Sequence, residues 1–190
     1  MQIGLSGIVQ KRVKKAELAP VEEEDLAFCW DTHLIKYKNR NVLLVVNVSS
    51  RYAIAMTDIE SRDWNYYVVY IHNVICLAMR VDGYSESQIS KYMQMAGDAK
   101  LTKTHGKKAV GGVNRVATCI DFYDDELEKE VKYQRDLSEY INRDICTPPG
   151  FEEFGYPTEL FQLDMERLGV DEKRKSAKII DFRKYSRHEE

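Results

Sequence analysis

The sequence lacks long apolar segments. No run approaches the ~20 residues that a helix needs to cross a bilayer, and the longest candidate, residues 66–81, is interrupted by His72, Asn73 and Arg80. The N-terminal residues also lack a basic region followed by an apolar stretch and a cleavage site, which is the pattern of a secretion signal. We therefore expect a cytoplasmic protein with no membrane partner.

The sequence also lacks the motifs of the common enzyme and metal-binding classes. Its four cysteines form no CxxC pair, and its four histidines do not pair with each other or with cysteine at metal-ligand spacing. The GxxxxGK[ST], GxSxG and HExxH patterns are absent as well. We therefore expect no catalytic residues, no metal and no cofactor, and we interpret the cysteines as buried free thiols in a reducing compartment.

Apolar patterning typical of strands is present in the first third of the chain. Residues 28–37 and 51–57 alternate between apolar and polar side chains, whereas residues 41–48 are almost continuously apolar, as in a strand buried on both faces. The short polar links between them favour hairpins and hence an antiparallel meander. Residues 1–15 alternate weakly and predict an edge strand, and residues 99–102 predict one further short strand.

Helical spacing follows. It predicts helices over residues 64–79, between Ser85 and Gly97, and over residues 107–122, 124–143 and 156–169. Ser85 and Gln88 have the spacing of a capping box, which starts a helix. A hydrophobic content of 44% in 190 residues suits one core. The predicted fold is therefore a single α+β domain in which an antiparallel three- to five-stranded sheet packs against four or five helices.

Charge is segregated along the chain. Residues 1–120 carry 16 basic against 12 acidic side chains, residues 121–171 carry 5 against 15, and residues 172–190 carry 7 against 4. Such asymmetry indicates charged partners better than the net charge does. We divide the chain into an N-terminal edge strand with an acidic loop (1–27), an α+β core (28–122), acidic C-terminal helices (123–171) and a basic tail (172–190).

A basic strand-to-helix junction at residues 102–108 is the first candidate site. A helix N-terminus presents unpaired amides and a partial positive charge, which favour an anion such as phosphate. The alternative is a capped helix start with solvated lysines and a tightly packed Gly111. The candidate anion- or nucleic-acid-binding residues are Thr102, Lys103, Thr104, His105, Lys107, Lys108, Asn114 and Arg115.

A dense acidic segment is the second candidate site. Its carboxylates suit the start of a helix, where negative charge is favourable, and the simplest interpretation is an ordinary solvated surface. The sharper interpretation is a partner-binding face that mimics the phosphates of a nucleic acid. The residues are Asp121, Asp124, Asp125, Glu126, Glu128 and Glu130.

Residues 102–114 are similar to the motif T-K-T-x-[DN]-R-[ST]-x-x-[GA]-x-[ML]-N of a bacterial domain-of-unknown-function family. The spacing agrees from Thr102 to Asn114, but Gly106-Lys107-Lys108 replaces the family's acidic-Arg-Ser. Residues 45–52 resemble that family's V-N-x-x-[ST]-R-[YF]. The resemblance covers roughly residues 28–122 and implies the fold and the position of the junction, without implying an activity.

Three functions are compatible with this sequence. We predict a non-enzymatic inhibitor from a phage or mobile element, an anti-CRISPR for example, that binds a larger protein or protein–nucleic acid complex such as a Cas nuclease. The alternative is a protein that binds nucleic acid or nucleotide phosphate directly through the basic junction, related to a nuclease or a toxin. A third hypothesis is a self-associating structural or toxin–antitoxin component, which would form a homo-oligomer.

Overall fold

A mixed sheet forms the centre of the fold. The computed structural model describes residues 1–13, 17–22 and 24–171, so the predicted basic tail lies outside the described residues. The strands β2, β3 and β4 form the predicted antiparallel meander, whereas β1 runs parallel to both β2 and β5, so a purely antiparallel sheet is wrong. The order across the sheet is β4-β3-β2-β1-β5. The strands are β1 (Gln2–Leu5), β2 (Cys29–Tyr37), β3 (Arg40–Asn47), β4 (Ala53–Thr57) and β5 (Lys100–Lys103).

Strand β1 lies in the interior of the sheet, which corrects the predicted edge strand over residues 1–15. Gln2 is in register with both Cys29 of β2 and Lys100 of β5. All four residues of β1 are buried. Parallel neighbours are joined by long crossover connections rather than by hairpins. The sequence near residues 1–15 therefore contains no turn signal that would indicate the partner strands of β1.

Helices cover both faces of the sheet. One face packs against α3, α4 and α7 around Trp30 and Phe161, and the other packs against α5 and α6 around Leu44 and Ile120. The result is a three-layer α+β domain. The helices of the described residues are α1 (Gly7–Gln10), a 3-10 helix (Leu26–Phe28), α2 (Ser61–Asn65), α3 (Tyr67–Val81), α4 (Glu86–Ala96), α5 (Gly106–Ile120), α6 (Arg135–Ile141) and α7 (Pro157–Arg167).

Strand β3 belongs to both cores, which explains its almost continuous apolar run. Successive side chains of a strand point to opposite faces. Leu43 and Val45 lie in the core beneath α3, whereas Val42, Leu44 and Val46 lie in the core beneath α5. The prediction of a strand buried on both faces is confirmed.

The helix boundaries follow local signals in most places. The capping box of α4 is confirmed, because Ser85 Oγ accepts from the Gln88 amide and Gln88 Oε1 accepts from the Ser85 amide. Gly83 and Gly97, at φ +90° and +61°, follow α3 and α4 as predicted. The single helix predicted over residues 64–79 is instead α2 and α3, which meet at Tyr66 in a non-helical conformation.

The acidic helix predicted over residues 124–143 is wrong. Only α6 is helical there, and residues 121–134 form an irregular loop. Carboxylates four residues apart, such as those of Asp124 and Glu128, would repel each other on one face of a helix.

This loop is anchored to the sheet by basic side chains of the β2–β3 hairpin. Lys38 Nζ donates to the carbonyl oxygens of Asp124 and Asp125 at 2.7 and 3.1 Å. Arg40 Nη1 donates to the carbonyl oxygen of Glu128 at 2.8 Å. In a helix these carbonyl groups would accept hydrogen bonds from the helix backbone. Because they bind the hairpin side chains instead, the hairpin stabilises a loop rather than a helix.

None of the helices in the described part of the chain is both long enough and apolar enough to span a membrane.

Candidate functional site

The predicted strand-to-helix junction is present between β5 and α5. Gly106 is the first residue of α5 and has φ +83°, a conformation that favours glycine. Thr102 is buried in the sheet and its Oγ1 donates to the Lys103 carbonyl oxygen. Lys103 is exposed on β5, and Thr104 is half-buried with its carbonyl oxygen accepting from the Gly106 amide. The two threonines and Lys103 therefore do not converge with the cations of α5.

The predicted residues of α5 separate into two faces. Lys108 and Arg115 are seven residues apart and line one cleft, which we call the α5 cleft. Lys107 and Asn114 are exposed, but each stands one position earlier, about 100° around the helix. The structure thus brings together Lys108 and Arg115 and leaves Lys107 and Asn114 outside the cleft.

His105 forms a buried pair with Asp31 of β2. Its Nδ1 lies 2.6 Å from Asp31 Oδ1, and its backbone amide donates to the same carboxylate at 3.2 and 3.3 Å. The His105 and Asp31 side chains are only 4% and 1% exposed. Because a carboxylate only accepts, Nδ1 carries the proton in this bond. His105 therefore ties the start of α5 to β2 rather than reaching into solvent.

Gly4 makes the pairing of His105 with Asp31 possible. A Cβ placed on Gly4 would lie 2.0 Å from Asp31 Oδ1 and 3.1 Å from His105 Nδ1. Gly4 of β1 is in register with Asp31 on one side and with Thr102 on the other. Strand β1 therefore has to lack a side chain at this position.

The α5 cleft has a volume of about 340 Å³ and lies between the first two-thirds of α5 and the segment 145–149. Its polar side chains are those of Asp31, Asn47, Arg51, Lys108, Arg115 and Thr147. Its apolar part includes Val46, Val48, Val113, Ile145, Pro148 and Pro149. The cleft is therefore apolar along part of its wall and carries three cations.

Arg51 is the most constrained of these cations. It is not a glycine, yet its φ of +62° lies in the left-handed region, which costs about 1–3 kcal/mol where the surroundings enforce it. Its amide donates to the Asn47 carbonyl oxygen, and the Asn47 side chain bonds to Ser50 and to Ala27. The β3–β4 turn thus fixes Arg51 in this conformation.

The Arg51 side chain is 8% exposed, and its Nη2 donates to Asp144, both to Oδ2 at 2.9 Å and to the carbonyl oxygen. Its Nε is buried and has no acceptor among the described residues. Leaving a buried charged donor unpaired costs more than about 1–3 kcal/mol. The Oγ1 of Thr147, in the segment 145–149, is also buried without a partner in the described structure.

Asp144 joins two of the cations. Arg115 binds it in a bidentate manner, Nε to Oδ2 and Nη2 to Oδ1, both at 3.0 Å. The hydrogen bonds from Arg115 are the main reason that the pKa of Asp144 is lowered, with the charge of Arg51 contributing. Lys108 Nζ donates to the Pro148 carbonyl oxygen at 3.1 Å. Three cations and one carboxylate, Asp31, line the cleft, and a second carboxylate, Asp144, pairs with two of the cations, so the cleft keeps an excess of positive charge.

The six residues of the predicted acidic face stand together on the 121–134 loop. All six side chains are exposed. Of these six residues, only Glu126 forms an ion pair within the described structure, with Lys38 Nζ at 3.7 Å. The residues are Asp121, Asp124, Asp125, Glu126, Glu128 and Glu130.

The described cysteines are free thiols. Cys29 and Cys146 are buried, as predicted, whereas Cys76 and Cys119 are partly exposed. Burial raises the pKa of Cys29 to about 12 and also raises that of Cys146, which lines the cleft. Neither buried thiol is therefore a thiolate nucleophile at neutral pH.

Sequence reasoning missed four polar residues of the cleft, Asp31, Asn47, Arg51 and Thr147, and also Asp144, which binds Arg51 and Arg115. Asp31 gave no signal, because a polar residue between Trp30 and Thr32 is what an alternating strand places on its opposite face. Arg51 lies within residues 45–52, the second stretch of resemblance, yet was not assigned to a site. Asp144 and Thr147 follow no local pattern, since only the tertiary fold brings Asp144 to the two arginines and Thr147 to the cleft.

The three-layer fold and its cationic cleft define a small α+β domain with a preformed pocket. The chain belongs to the family described as domain of unknown function (DUF6933), whose model matches residues 2–160. The predicted resemblance to a domain-of-unknown-function family is thereby confirmed, and the match is longer than residues 28–122 and includes every residue of the α5 cleft. No curated protein and no solved structure matches the chain.

Proposed function

We propose that this protein binds a small phosphate-bearing ligand, a nucleotide or a sugar phosphate, in the α5 cleft. The observation that supports this function best is Arg51, a buried cation held in a strained backbone conformation with its Nε unpaired. Strain and unpaired buried donors are retained where the surrounding structure has another requirement, and binding sites are the commonest case.

Phosphate suits the cleft for a chemical reason. It offers several acceptor oxygens and up to two negative charges, and planar guanidinium groups bind it with directed hydrogen bonds. Arg51 and Arg115 supply two guanidinium groups, Lys108 supplies an ammonium group, and Thr147 supplies a hydroxyl. Since Asp144 neutralises part of the charge of both arginines, the ligand is expected to bind reversibly and with salt-dependent affinity.

The test compares two neighbouring lysines. Isothermal titration calorimetry with ribose 5-phosphate and the four nucleoside monophosphates is carried out on the unmodified protein, Lys108→Ala and Lys107→Ala. We expect Lys108→Ala to weaken binding by about 10- to 100-fold, because it removes a charged hydrogen-bond donor. Lys107→Ala removes the same charge outside the cleft and should change the affinity by less than about twofold.

Two results would contradict this function. Failure of all five ligands to bind at low salt, where charge attraction is strongest, would exclude it. Equal losses in the two lysine variants would show that binding depends on the exposed helix start rather than on the cleft. A gel shift of single-stranded DNA that needs Lys107 as much as Lys108 would point to the same exposed surface.

We also propose a second function, inhibition of a larger partner such as a nuclease–nucleic acid complex of a host defence system. The observation that favours it is the 121–134 loop, whose backbone is anchored by Lys38 and Arg40 while its carboxylates face solvent. Phe122 is 71% exposed within this loop and offers an apolar contact beside the charges. A rigid surface loses little entropy on binding.

A cleavage assay with a purified Cas nuclease and its guide RNA tests the inhibitor function. Charge reversal at Asp124, Asp125, Glu126 and Glu128 should abolish inhibition if the loop occupies a basic nucleic-acid channel. Charge reversal at Glu152 and Glu153, which are also exposed, serves as the matched control. Inhibition that survives the first change, or that is lost equally in the control, would show that the loop is not the binding surface.

A further inference from the structure

Two consecutive glycines lie in the middle of α5, where the helix lines the cleft. Gly111 and Gly112 occupy positions six and seven of a fifteen-residue helix, and neither has a positive φ. Glycine weakens a helix interior relative to alanine. Two consecutive glycines in a helix interior are therefore expected only where a neighbouring element or a ligand approaches the helix backbone.

The folded chain does not supply that reason. A Cβ placed on Gly111 would meet no atom within 4 Å, and a Cβ on Gly112 would make ordinary contact with Arg51 Cδ at 3.5 Å. The prediction that Gly111 packs tightly is therefore wrong. Alanine would fit at both positions, and the open space lies at Gly111, whereas Gly112 stands against the aliphatic part of the Arg51 side chain.

The glycines stand between the two cations of the same helix. Lys108, Gly111, Gly112 and Arg115 have the spacing of one helix face, and all four line the cleft. The helix therefore presents backbone without side chains at Gly111 and Gly112, which we call the Gly111–Gly112 step. Lys108 precedes this step and Arg115 follows it on the same face. Pro148 and Pro149 line the same cleft from the segment 145–149 and add apolar rings.

A second observation is independent of the glycines and also indicates a ligand. Arg51 is buried, lines the cleft beside Gly112, and has a buried Nε without an acceptor among the described residues. A ligand in this cleft thus meets cationic side chains, Arg51 among them, together with a helix surface that lacks side chains. The first suits a phosphate, and the second suits a planar ring that approaches the backbone closely.

We infer that the α5 cleft holds a nucleoside monophosphate, with its base lying on the Gly111–Gly112 step and its phosphate directed to Arg51 and the flanking cations. This inference rests on the proposed phosphate-binding function and specifies the ligand. A cleft of about 340 Å³ has room for one such molecule rather than for a folded polymer. The apolar wall covers the base, and the base needs no charged partner there.

Calorimetry with ligands that differ only in the base tests the inference. We expect at least one of AMP, GMP, CMP and UMP to bind ten times or more tightly than ribose 5-phosphate, which keeps the phosphate and the sugar. Equal affinity for ribose 5-phosphate and all four nucleotides would overturn the base-binding inference and leave the phosphate function intact. Absence of binding by all five ligands would instead overturn the phosphate function.

Alanine at the Gly111–Gly112 step is expected to stabilise the protein but to weaken nucleotide binding. Gly111→Ala should raise Tm by ~2–4 °C, because alanine favours the helix and meets no obstacle. The same change should weaken binding of the preferred nucleotide at least tenfold and leave ribose 5-phosphate within about twofold. Gly112→Ala should weaken the nucleotide in the same way and provides a second variant if one of the two is poorly folded.

Gly7→Ala is the matched control. Gly7 is also helical, it lies outside the cleft, and its added Cβ would meet nothing within 4 Å. It should leave nucleotide affinity unchanged. Unchanged nucleotide affinity in both Gly111→Ala and Gly112→Ala would show that the bare step does not hold a base, and would overturn the inference.

Discussion

At the scale of single residues, the site depends on charged groups that the fold removes from water. Asp31 and His105 pair beside Gly4, and Arg51, which lines the cleft, pairs with Asp144. The partners of these two pairs lie 74 and 93 positions apart in the chain. A single sequence reveals neither pair, because no local periodicity connects residues at such separations, even though His105 was itself predicted as a site residue.

The requirement for glycine at position 4 gives a direct prediction. Gly4→Ala should lower the free energy of unfolding by about 1–3 kcal/mol, because the added methyl group would overlap the Asp31 carboxylate. Chemical denaturation of both proteins measures the difference. Gly7→Ala, three positions later and in open space, should differ from the unmodified protein by less than about 0.5 kcal/mol. Equal stability of Gly4→Ala and Gly7→Ala would show that the Asp31–His105 pair can shift to make room for the methyl group.

Asp144 predicts a dependence of stability on pH. Hydrogen bonds from Arg115 lower its pKa below the ordinary 3.8, so its contribution is complete above that pH and is lost as the pH falls through the folded-state pKa. Asp144→Asn should cost about 1–3 kcal/mol at pH 7, and the cost should shrink below pH 3.8. Urea unfolding at pH 7 and pH 3 measures this cost in the free energy of unfolding, with Glu152→Gln as an exposed control. A cost that is the same at both pH values would contradict this explanation.

At the scale of elements, sequence reasoning succeeded where the signal is local. The period-two strands β2 and β4, the continuous apolar run of β3 and the capping box of α4 depend on neighbours in the sequence, and they appear as predicted. The helix over residues 124–143 was wrong because side chains from the β2–β3 hairpin bind its backbone. The position of β1 was wrong because its partners join it through crossovers.

The anchoring of the 121–134 loop can be tested by hydrogen exchange. Arg40→Met keeps the length of the side chain but removes the bonds to the carbonyl oxygens of Leu127 and Glu128. Amides of residues 127–131 should then exchange faster, because local opening becomes easier. Lys36→Met, on the same hairpin but exposed, is the control. Unchanged exchange in Arg40→Met would mean that burial of Tyr123 and Leu127 holds the loop without the arginine.

At the scale of the whole molecule, one strand links the two cores. Leu43 packs beneath α3 and Leu44 beneath α5, and both are fully buried. Leu43→Ala and Leu44→Ala should each lower the free energy of unfolding by about 2–5 kcal/mol and preserve a single cooperative transition. Thermal unfolding followed by near- and far-ultraviolet circular dichroism measures both properties. Two separate transitions in either variant would show that the layers unfold independently.

The interior place of β1 in the sheet has a consequence for synthesis in the cell. One neighbour of β1, β2, emerges from the ribosome early, but the other, β5, ends only at Lys103. Until then the nascent sheet has an open edge of unpaired backbone groups at β1, where another strand could pair. The completion of β5 closes this edge and also brings His105 to Asp31. Pairing of β1 and placement of the start of α5 thus depend on the same short stretch of chain, and the α5 cleft is complete only when the segment 145–149 follows.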